Sequence, residues 1–511
     1  MNKTRYFLYS LLISFILLTG CSKDLLELEP QGILLEKSYF NNEDDVWMAL
    51  ISAYDPISWV YSWGMSHWVT LNAASDDANC GGEFTGDRPE YQEPDRFNIS
   101  VTNDGPEQLW RKYYAGIYRC NLLILNVTDK PEIITPKVNQ YVAETRFLRA
   151  YYYFDLVRFF GDVPLIDHPL GSSEYSLSRS PVSEIFDFIV NDLTLAISDL
   201  PVNEEMKGRA TKGAAMALLG KVYLFMSSPY YNLGNHYQDA ADMFAQVISL
   251  GKYELLENYR QNFDRDYNYG KESIFELGYT ASIGVDWDAS NPYPRMEGNI
   301  DWQLCGIRNL VPSGLFEPGW GFVKPTQDIA NAYMTENDTV RYNASIISGD
   351  SLTSLGYTWI DNFDYEGYFR MKYNIMTKDI PENSQAWDNN NRIIRLADVY
   401  LMIAECIVNG ASDPDGQNAD FYVNLVRQRV KLPAKSGVTM EDIMLERRLE
   451  FSFEALRYWD VLRWNKGDEV FGNHKTSDVE YQWNPVKKGL WPVPQTEILR
   501  TNGSLKQNPG Y

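Results

Sequence analysis

The sequence predicts a mainly α fold, in which a helical repeat scaffold carries an embedded, loop-rich subdomain. Long segments with helical apolar periodicity recur along the chain and come in pairs, as in helical repeat arrays. Two stretches, about 55–109 and 254–390, interrupt this pattern and are rich in Gly, Asn, Asp, Pro and Trp. The chain has 511 residues, 44% of them hydrophobic, and so exceeds the size at which one core usually stops growing. We therefore expect one main scaffold and one embedded subdomain.

The first twenty residues have the features of an export signal. Lys3 and Arg5 precede the apolar run FLYSLLISFILL, and LTGC follows it, with small residues before Cys21. This pattern resembles a bacterial lipoprotein signal, in which the cysteine is acylated after export. A simple secretory signal or a membrane-spanning helix fits less well, because the apolar run is short and a cysteine stands at the cleavage point. We predict a signal peptide at 1–20 and a lipid anchor at Cys21.

The mature chain is strongly acidic. The formal net charge is −23, and it becomes −25 without residues 1–20, which contain two basic residues and no acidic one. Such a surface repels the phosphates of nucleic acids and of anionic lipids, and no basic cluster offsets it. The charge therefore argues against nucleic acid as a partner and favours a neutral ligand.

The cysteines and the acidic loops give no clear sign of a bound metal. Four cysteines remain after Cys21, widely spaced and without a C-x-x-C motif, so neither a zinc site nor a disulfide framework is indicated; they are Cys80, Cys120, Cys305 and Cys406. The stretch SDPDGQNAD at 412–420 has acidic spacing faintly similar to a calcium loop, but a helix-to-helix turn explains it more simply. We predict no obligatory ion and no cofactor.

An unusually aromatic helix is predicted within RFLRAYYYFDLVRFFGDVPLI, residues 146–166. Apolar residues fall on most of its faces, so it should lie between other helices, and Gly161 should end it. We interpret its aromatic residues as core rather than as a ligand site. The tyrosine hydroxyls then need partners, for which Arg146 and Arg149 are plausible donors. One apolar stripe consists of Ala143, Phe147, Ala150, Phe154 and Val157, and a second contains Tyr141, Leu148, Tyr152 and Phe159.

Two short elements match the tetratricopeptide pattern. Leu219, Gly220 and Tyr223 fit its L-G-x-x-Y element, and Ala240 and Phe244 fit its A-x-x-x-F element. The spacing between them is longer than in a standard repeat, which predicts an enlarged turn at 227–236. We expect the tetratricopeptide-like scaffold to occupy about 110–253 and 391–465. Its last helices contain ERRLEFSFEALRYWDVLRW, whose charges can pair along one helix and need mutual satisfaction if they are buried.

Tryptophans are concentrated in the irregular stretches. Recognition residues often lie on irregular segments that a rigid scaffold carries. For any single tryptophan, packing of the indole between loop and helix is the alternative. Eight of the fourteen tryptophans lie in these stretches, namely Trp59, Trp63, Trp68, Trp287, Trp302, Trp320, Trp359 and Trp387.

Motifs along the whole mature chain resemble the SusD/RagB family, the surface glycan-binding lipoproteins of Bacteroidetes-type bacteria. After LTGC they include EPQGILLEKSYFNNEDDVWMALISAYDPI, SDDA, LWRKYYAGIYRCN, AETRFLRAYYYFDLVRFFGDVPLI and GRATKGAAMALLGKVYLF. They continue with GWGFVKPTQDIANAY, LADVYLMIAE, ERRLEFSFEALRYWDVLRW and the ending LWPVPQTEI to QNPGY. The motifs occur in the order that the family shows, so the resemblance covers residues 21–511.

The resemblance implies a function beyond what periodicity indicates. Members of this family capture oligosaccharides at the outer membrane, are not known for catalysis, and lie over a TonB-dependent transporter of the SusC type. We therefore expect an outer-membrane, lipid-anchored and surface-exposed protein that delivers glycan to such a transporter. In the family, the GWGF position of Trp320 can contribute an aromatic platform, and the SDDA loop with Asp76 and Asp77 can approach the ligand.

A sugar ring suits such a site because its faces carry C–H groups and its edge carries hydroxyls. We predict an aromatic platform of Trp320 together with Trp63, Trp68, Trp287, Tyr293 or Trp302, and a polar edge of Asp76, Asp77 and Asn79. Each prediction has a structural alternative. Trp320 could be a packed turn residue before a helix opened by Pro325, and Asp76 and Asp77 could stabilise a loop.

Two other functions stay open at this point. A glycoside-acting enzyme needs two carboxylates about 5 to 10 Å apart, and Asp286 with Asp288, or Asp76 with Glu83, could supply them. The four histidines lie outside any catalytic motif. A helical-repeat adaptor that binds only protein is the other possibility. Glycan binding by the isolated chain would separate an adaptor from a glycan-capture protein.

Overall fold

The computed structural model describes residues 40–59, 66–171, 174–281, 298–312, 314–360, 363–374, 376, 387–472 and 480–511. These residues are mainly α-helical, which confirms the predicted fold class. The helices are α1 (Glu43–Tyr54), α2 (His67–Ala73), α3 (Pro89–Asp95), α4 (Asp104–Thr128), α5 (Pro136–Phe160), α6 (Val182–Asp199), α7 (Lys212–Ser227), α8 (Tyr237–Ser249), α9 (Asp301–Cys305), α10 (Gln327–Thr335), α11 (Thr339–Ser345), α12 (Gly349–Ser354), α13 (Leu396–Val408), α14 (Ala419–Arg429), α15 (Met440–Phe451), α16 (Arg457–Arg463), α17 (Gly467–Val470) and α18 (Gln495–Arg500).

Long helices form the scaffold in two sets. Helices α4 to α8 pack each on the next, and α1 packs on α4 and α5. Helix α8 then packs on α13, which in turn contacts α14 and α15. The array is thus continuous in space although the chain between α8 and α13 makes a long excursion. That excursion contains the irregular structure.

Capping residues in the sequence set the ends of these helices. Thr135 accepts a hydrogen bond from the backbone N–H of Val138, and Pro136 occupies the first position of α5. The helix ends at Gly161, whose φ of +70° suits glycine, as the sequence predicts. Thr211 caps α7 in the same way, through the N–H of Ala214.

The tetratricopeptide elements of the sequence meet between α7 and α8. A Cβ atom at Gly220 would stand 2.6 Å from a ring carbon of Phe244, so only glycine lets the two helices approach this closely. The ring of Tyr223 stacks on His236 in the connection, with 5.6 Å between centroids. Residues 228–236 form this connection, in agreement with the predicted enlarged turn.

The aromatic helix α5 lies in the core, as predicted. Tyr152 and Tyr153 are buried, and their hydroxyls donate to the backbone carbonyls of Ala53 (2.8 Å) and Ile166 (2.9 Å). The expectation that Arg146 and Arg149 would serve the tyrosines is wrong. Both arginines instead bind the carboxylate of buried Asp192 on α6, at 2.7 to 2.9 Å, because an isolated buried carboxylate would be the costlier group to leave unpaired.

Three two-stranded antiparallel sheets hold the irregular segments. The strands are β1 (Ala78–Gly81), β2 (Ser273–Leu277), β3 (Phe322–Pro325), β4 (Ile346–Ser348), β5 (Tyr368–Arg370) and β6 (Asn391–Arg395). Strand β1 pairs with β3, β2 with β6, and β4 with β5. In the first pair Asn79 is opposite Lys324, and Gly81 is opposite Phe322. The β2–β6 pair connects the two ends of the excursion between α8 and α13.

A second, small core lies within the excursion, where the sequence predicts the embedded subdomain. Its buried residues come from the stretches around α9, α12 and β5, and they do not belong to the main core of the scaffold. Half-buried Trp359 packs against this core and meets Phe369 edge to face, with 5.3 Å between ring centroids. The buried members are Ile307, Leu310, Phe316, Leu352, Tyr357 and Phe369.

A buried ionic network joins α15 to other elements. Arg395, at the end of β6, donates to carboxylates of Glu272, Glu450 and Glu454 at 2.6 to 3.0 Å. Glu450 also pairs with Arg341 of α11. The sequence predicts that the charges of α15 pair along the helix, and this is wrong for Glu450, whose partners come from other elements. All five side chains are almost fully buried, and each has an oppositely charged partner within the network, as such burial requires.

The unfolding free energy should fall in acid because Glu450 must be ionised to hold this network. Burial alone raises the pKa of Glu450, but Arg429, Arg395 and Arg341 more than offset it and lower the pKa to about 2. Its contribution is therefore fully present above the ordinary pKa of 4.5 and is lost as the pH falls towards 2. Urea denaturation at stepped pH should show this decline, and a shallower one for Glu450→Gln. Equal declines would contradict the assignment.

The four described cysteines are buried, and the acidic loop at 412–420 is a hydrogen-bonded turn. Cys80, Cys120, Cys305 and Cys406 are buried as free thiols. In the 412–420 loop, the Asp413 carboxylate accepts the backbone N–H groups of Asp415 and Gln417 and the hydroxyl of Tyr422. This is the helix-to-helix turn that the sequence favours.

Cys21 and the export signal lie outside the described residues. Among the helices of the described ranges, none is both long enough and apolar enough to cross a bilayer.

Candidate functional site

Asp76 and Asp77 lie behind the surface, where arginines of the scaffold hold them. Arg457 of α16 makes two hydrogen bonds of 2.8 Å to the carboxylate of Asp76. Arg448 of α15 donates to Asp77 at 2.7 Å. Both aspartates are buried. The pair therefore fixes the start of β1 to α15 and α16, which is the loop-stabilising alternative of the sequence analysis.

The two carboxyl groups differ in pKa. Burial raises the pKa of Asp76, but the charges of Arg457 and Arg448 outweigh it, so the pKa lies well below its usual range. Burial raises the pKa of Asp77, and neighbouring Asp76 adds to the rise, while Arg448 opposes it. Asp76 is buried and Arg457 holds both of its carboxylate oxygens, whereas Glu83 is exposed, so the two do not form the open pair that a glycoside-acting enzyme needs. The other pair, Asp286 and Asp288, lies outside the described residues.

Asn79 is also buried, and its amide is used inside the protein. Its Nδ2 donates to the Glu366 carboxylate at 2.8 Å, and its Oδ1 accepts from the hydroxyl of Tyr481 at 3.2 Å. These contacts tie β1 to the stretch before β5 and to the C-terminal segment. The structure therefore corrects the predicted polar edge of Asp76, Asp77 and Asn79, because all three support the sheet below the surface.

The predicted platform residues separate into three groups. Trp68 and Trp302 are only 4% and 5% exposed, so their rings pack within the protein and offer no open face. Trp68 meets Tyr373 edge to face, and Trp302 pairs with Trp387. Trp63, Trp287 and Tyr293 lie outside the described residues. Trp320 is half-buried and remains as the described member of the platform.

Trp320 is held by a close approach of two backbone segments. Its N–H donates to the carbonyl of Gln303 at 2.7 Å. Gly306 and Gly319 lie in direct contact, and a Cβ atom at Gly319 would be 2.5 Å from the Cα atom of Gly306. The residues after Trp320 form β3, and α10 begins only at Gln327, with Thr326 as its N-cap. Pro325 therefore does not open a helix, but the half-buried Trp320 does pack against the main core, as the structural alternative expects.

Charged side chains lie beside Trp320, and an exposed aromatic residue lies on a neighbouring loop. The Arg88 guanidinium lies 6.0 Å from its ring centroid. Arg308 donates to the carbonyl of Trp320 at 3.4 Å and to Glu83 at 2.5 Å. Phe84 is 56% exposed on the loop that begins at Gly82, whose N–H donates to Gly321. We call Glu83, Phe84, Arg88, Arg308 and Trp320 the Trp320 surface.

The sequence predicts Trp320 as a platform residue and Glu83 only as a possible enzymatic carboxylate, whereas Phe84, Arg88 and Arg308 are missed as candidate site residues. Phe84 is a lone aromatic residue in the Gly-rich stretch GGEFTGD, and this pattern could have indicated an exposed aromatic residue on a loop. Arg88 has a positive φ of 56° directly before Pro89, which no sequence pattern indicates. Glu83 and Arg308 are far apart in sequence, so only the tertiary structure shows that they pair next to Trp320. An aromatic face with charged donors and acceptors at its border can bind a polar ring with apolar faces.

The fold is a helical scaffold that carries the Trp320 surface on irregular segments. Comparisons with known proteins identify the group to which the chain belongs. Residues 356–511 match the model of the SusD family, and residues 64–224 match a model described as starch-binding associating with outer membrane. The chain belongs to the SusD family, as its motifs predict.

Several relatives cover almost all of the chain. SusD-like protein P2 of Formosa agariphila is 27% identical over 98% of both chains. A solved laminarin-binding SusD-like protein is 29% identical, covers 92% of this chain and 100% of its own, and has a TM-score of 0.81. Surface glycan-binding protein A from Bacteroides thetaiotaomicron, solved in complex with laminarihexaose, is 26% identical with the same TM-score and coverage. Family members are surface glycan-binding proteins, so this chain is a binding protein and not an enzyme.

Proposed function

We propose that this protein captures oligosaccharides on the Trp320 surface and delivers them to a SusC-like, TonB-dependent outer-membrane transporter. In this proposal the mature chain is tethered at the cell surface through a lipid on Cys21. Trp320 carries the proposal, because it is a half-buried ring with charged groups at its border, and exposed Phe84 lies on the loop whose Gly82 bonds to Gly321. Membership of the SusD family supports the transporter and the anchor as expectations for this chain.

The chemistry of the Trp320 surface suits a neutral sugar. The indole can cover the C–H face of a pyranose ring, while Arg88, Arg308 and Glu83 can bond to hydroxyls at the ring edge. Positive and negative side chains are both present, so the surface itself selects no charged ligand. The net charge of −23 over the whole chain disfavours anionic glycans. We therefore expect binding to weaken when carboxylate or sulfate groups are added to the sugar.

Laminarin oligosaccharides are the first ligand to test. Two of the solved relatives at 26–29% identity are a laminarin-binding protein and a complex with laminarihexaose. Trp63, Trp287 and Tyr293 remain proposed extensions of the platform, on the grounds given by the sequence. Trp68 and Trp302 are left out of the proposed platform because their rings are buried. Asp76, Asp77 and Asn79 are proposed to act indirectly, by holding β1 and the loop that follows it.

Replacement of Trp320 by alanine should weaken the binding of laminarihexaose roughly ten- to one-hundred-fold. Loss of a ring that the ligand buries removes about 1.5–3 kcal/mol, and each 1.4 kcal/mol is about tenfold in Kd. Isothermal titration calorimetry of the mature chain, made from Ser22, measures the change. Trp320→Phe should retain part of the affinity.

The matched control is Tyr175→Ala, which removes a ring that is 61% exposed and outside the Trp320 surface. Its affinity should equal that of the unmodified chain. Unchanged affinity in a folded Trp320→Ala variant would remove Trp320 from the site. Binding of no oligosaccharide by the unmodified chain would instead favour the protein-only adaptor.

A further inference from the structure

A cleft separate from the Trp320 surface opens between the scaffold and the excursion. Its volume is about 480 Å³, which lies in the range of small-molecule sites. Its walls are α1 with the following turn, the 206–209 loop, and β2 with the residues after it. It shares no residue with the Trp320 surface. We call it the Trp47 cleft, and the residues used below are Trp47, Ile51, Tyr54, Lys207, Arg209 and Tyr279.

Aromatic rings line this cleft and are fixed from behind. Trp47, Tyr54 and Tyr279 are each half-buried. The hydroxyl of Tyr54 donates to Glu144 at 2.8 Å and accepts the N–H of Ala210, also at 2.8 Å. These bonds lie on the protein side, so the Tyr54 ring is held in place while part of it faces the cleft. Rings that are already oriented lose little entropy when a ligand binds.

Arg209 fixes the position of the Trp47 ring. Its guanidinium lies 4.9 Å from the ring centroid, and its Nε donates to Glu144 at 3.0 Å. A second carboxylate, Glu204, is 3.1 Å from the same guanidinium. The positive charge of Arg209 is therefore matched by buried and half-buried acids and is not available to attract an anion.

Glycines shape the opposite wall around Tyr269. A Cβ atom at Gly278 would lie 2.2 Å from the Tyr269 hydroxyl, and one at Gly208 would lie 3.0 Å from it. Gly208 also has a φ of +91°, which side chains rarely adopt. Larger residues at either position would displace Tyr269 from the wall that β2 and the 206–209 loop share.

The charges around the cleft are balanced. Exposed Lys207 contributes one positive charge, and its ammonium lies 6.0 Å from the Tyr269 ring centroid. Asp55, with a side chain 52% exposed, pairs with Arg119 at 2.7 Å. Glu276 is buried beside Arg392. Half-buried rings with a balanced polar border, in a protein of net charge −23, suit a neutral polyhydroxylated ligand better than an ion or a lipid.

We propose that the Trp47 cleft is a second oligosaccharide-binding site, which takes a short neutral segment of a glycan independently of the Trp320 surface. The inference rests on the proposed glycan-binding function. Trp47, Tyr54 and Tyr279 provide the faces for the sugar rings, and Lys207 donates to hydroxyls at the entrance. Two sites on one protein would hold a long chain more firmly than either site alone, because the second contact is intramolecular.

The test is the number of sites for laminaritriose, a ligand short enough to occupy one site at a time. Titration calorimetry of the mature chain should give two sites. Ile51 lines the cleft and is 44% exposed, so Ile51→Trp can fill the cleft without disturbing the core. It should remove one of the two sites. Met48→Trp is the matched control, because Met48 is 54% exposed on the same helix but does not line the cleft.

Four results separate this inference from the proposed function. Loss of one site in Ile51→Trp, loss of the other in Trp320→Ala, and no binding in the double variant would support both. One site in the unmodified chain, lost in Trp320→Ala and kept in Ile51→Trp, would overturn the second site alone. One site that Ile51→Trp removes and Trp320→Ala leaves intact would overturn the role of Trp320. No binding at all would overturn both.

Discussion

Replacement of Arg395 by methionine is expected to lower the free energy of unfolding by about 3–5 kcal/mol. Arg395 is 1% exposed, and it makes hydrogen bonds of 2.6 to 3.0 Å to Glu272, Glu450 and Glu454. Methionine preserves most of the volume but leaves three buried carboxylates with one guanidinium fewer. Removal of one partner from a buried ionic group costs more than the pair itself contributes, because the remaining charge is not solvated.

Urea denaturation followed by circular dichroism measures this loss. The control is Arg500→Met, which removes an arginine that is paired with Glu497 but more than half exposed, and it should change the unfolding free energy by less than about 1 kcal/mol. The double variant Arg395→Met with Glu454→Gln should recover part of the loss, since one uncompensated charge is gone. An Arg395→Met variant as stable as the control would show that the network contributes little.

Replacement of Phe159 by alanine should cost a similar amount, about 3–5 kcal/mol, by leaving a cavity in the core. Phe159 is 1% exposed at the end of α5. Its ring meets Trp459 of α16 and Trp491 of the C-terminal segment edge to face, each at 4.8 Å between centroids. The ring therefore joins three parts of the chain that are distant in sequence, and its neighbours cannot all move to fill the space.

The same variant tests whether the aromatic helix is core or ligand site. Phe159→Leu should lose less stability than Phe159→Ala and leave the affinity for laminarihexaose unchanged. Phe421→Ala, at a position 42% exposed on α14, is the matched control for loss of a phenylalanine and should be far milder. Weaker glycan binding by a fully folded Phe159→Leu would mean that α5 takes part in recognition.

The aromatic helix illustrates how much of the scaffold the sequence predicts. Helical periodicity is a local property, so the segments, their caps and their buried faces follow from residues near one another in the chain. Thr135 and Gly161 limit α5 as their residue types predict. Gly220 and Phe244 are twenty-four residues apart, and their contact follows from a repeat pattern that the sequence contains. The partners of the tyrosines were not predictable, because they are backbone carbonyls elsewhere in the fold.

The candidate site was predicted less completely. The resemblance to the SusD/RagB family indicates Trp320, through the GWGF motif in an irregular stretch. The sequence also favours Asp76, Asp77 and Asn79, since carboxylates and amides in a loop suit sugar hydroxyls. Their burial depends on residues hundreds of positions later, and only the folded chain brings these partners together.

The sequence by itself determined the fold class, the acidic charge and the family of this protein, and it predicts the export signal. Each is a property of residue types and of short spacings. The tertiary structure decided which polar groups lie at the surface and which are held inside. Arg448 and Arg457 bind Asp77 and Asp76 from helices near the C-terminus, and the Trp47 cleft forms from three segments that are distant in sequence. The sequence could not predict these arrangements because burial and charge pairing depend on neighbours in space rather than on neighbours along the chain.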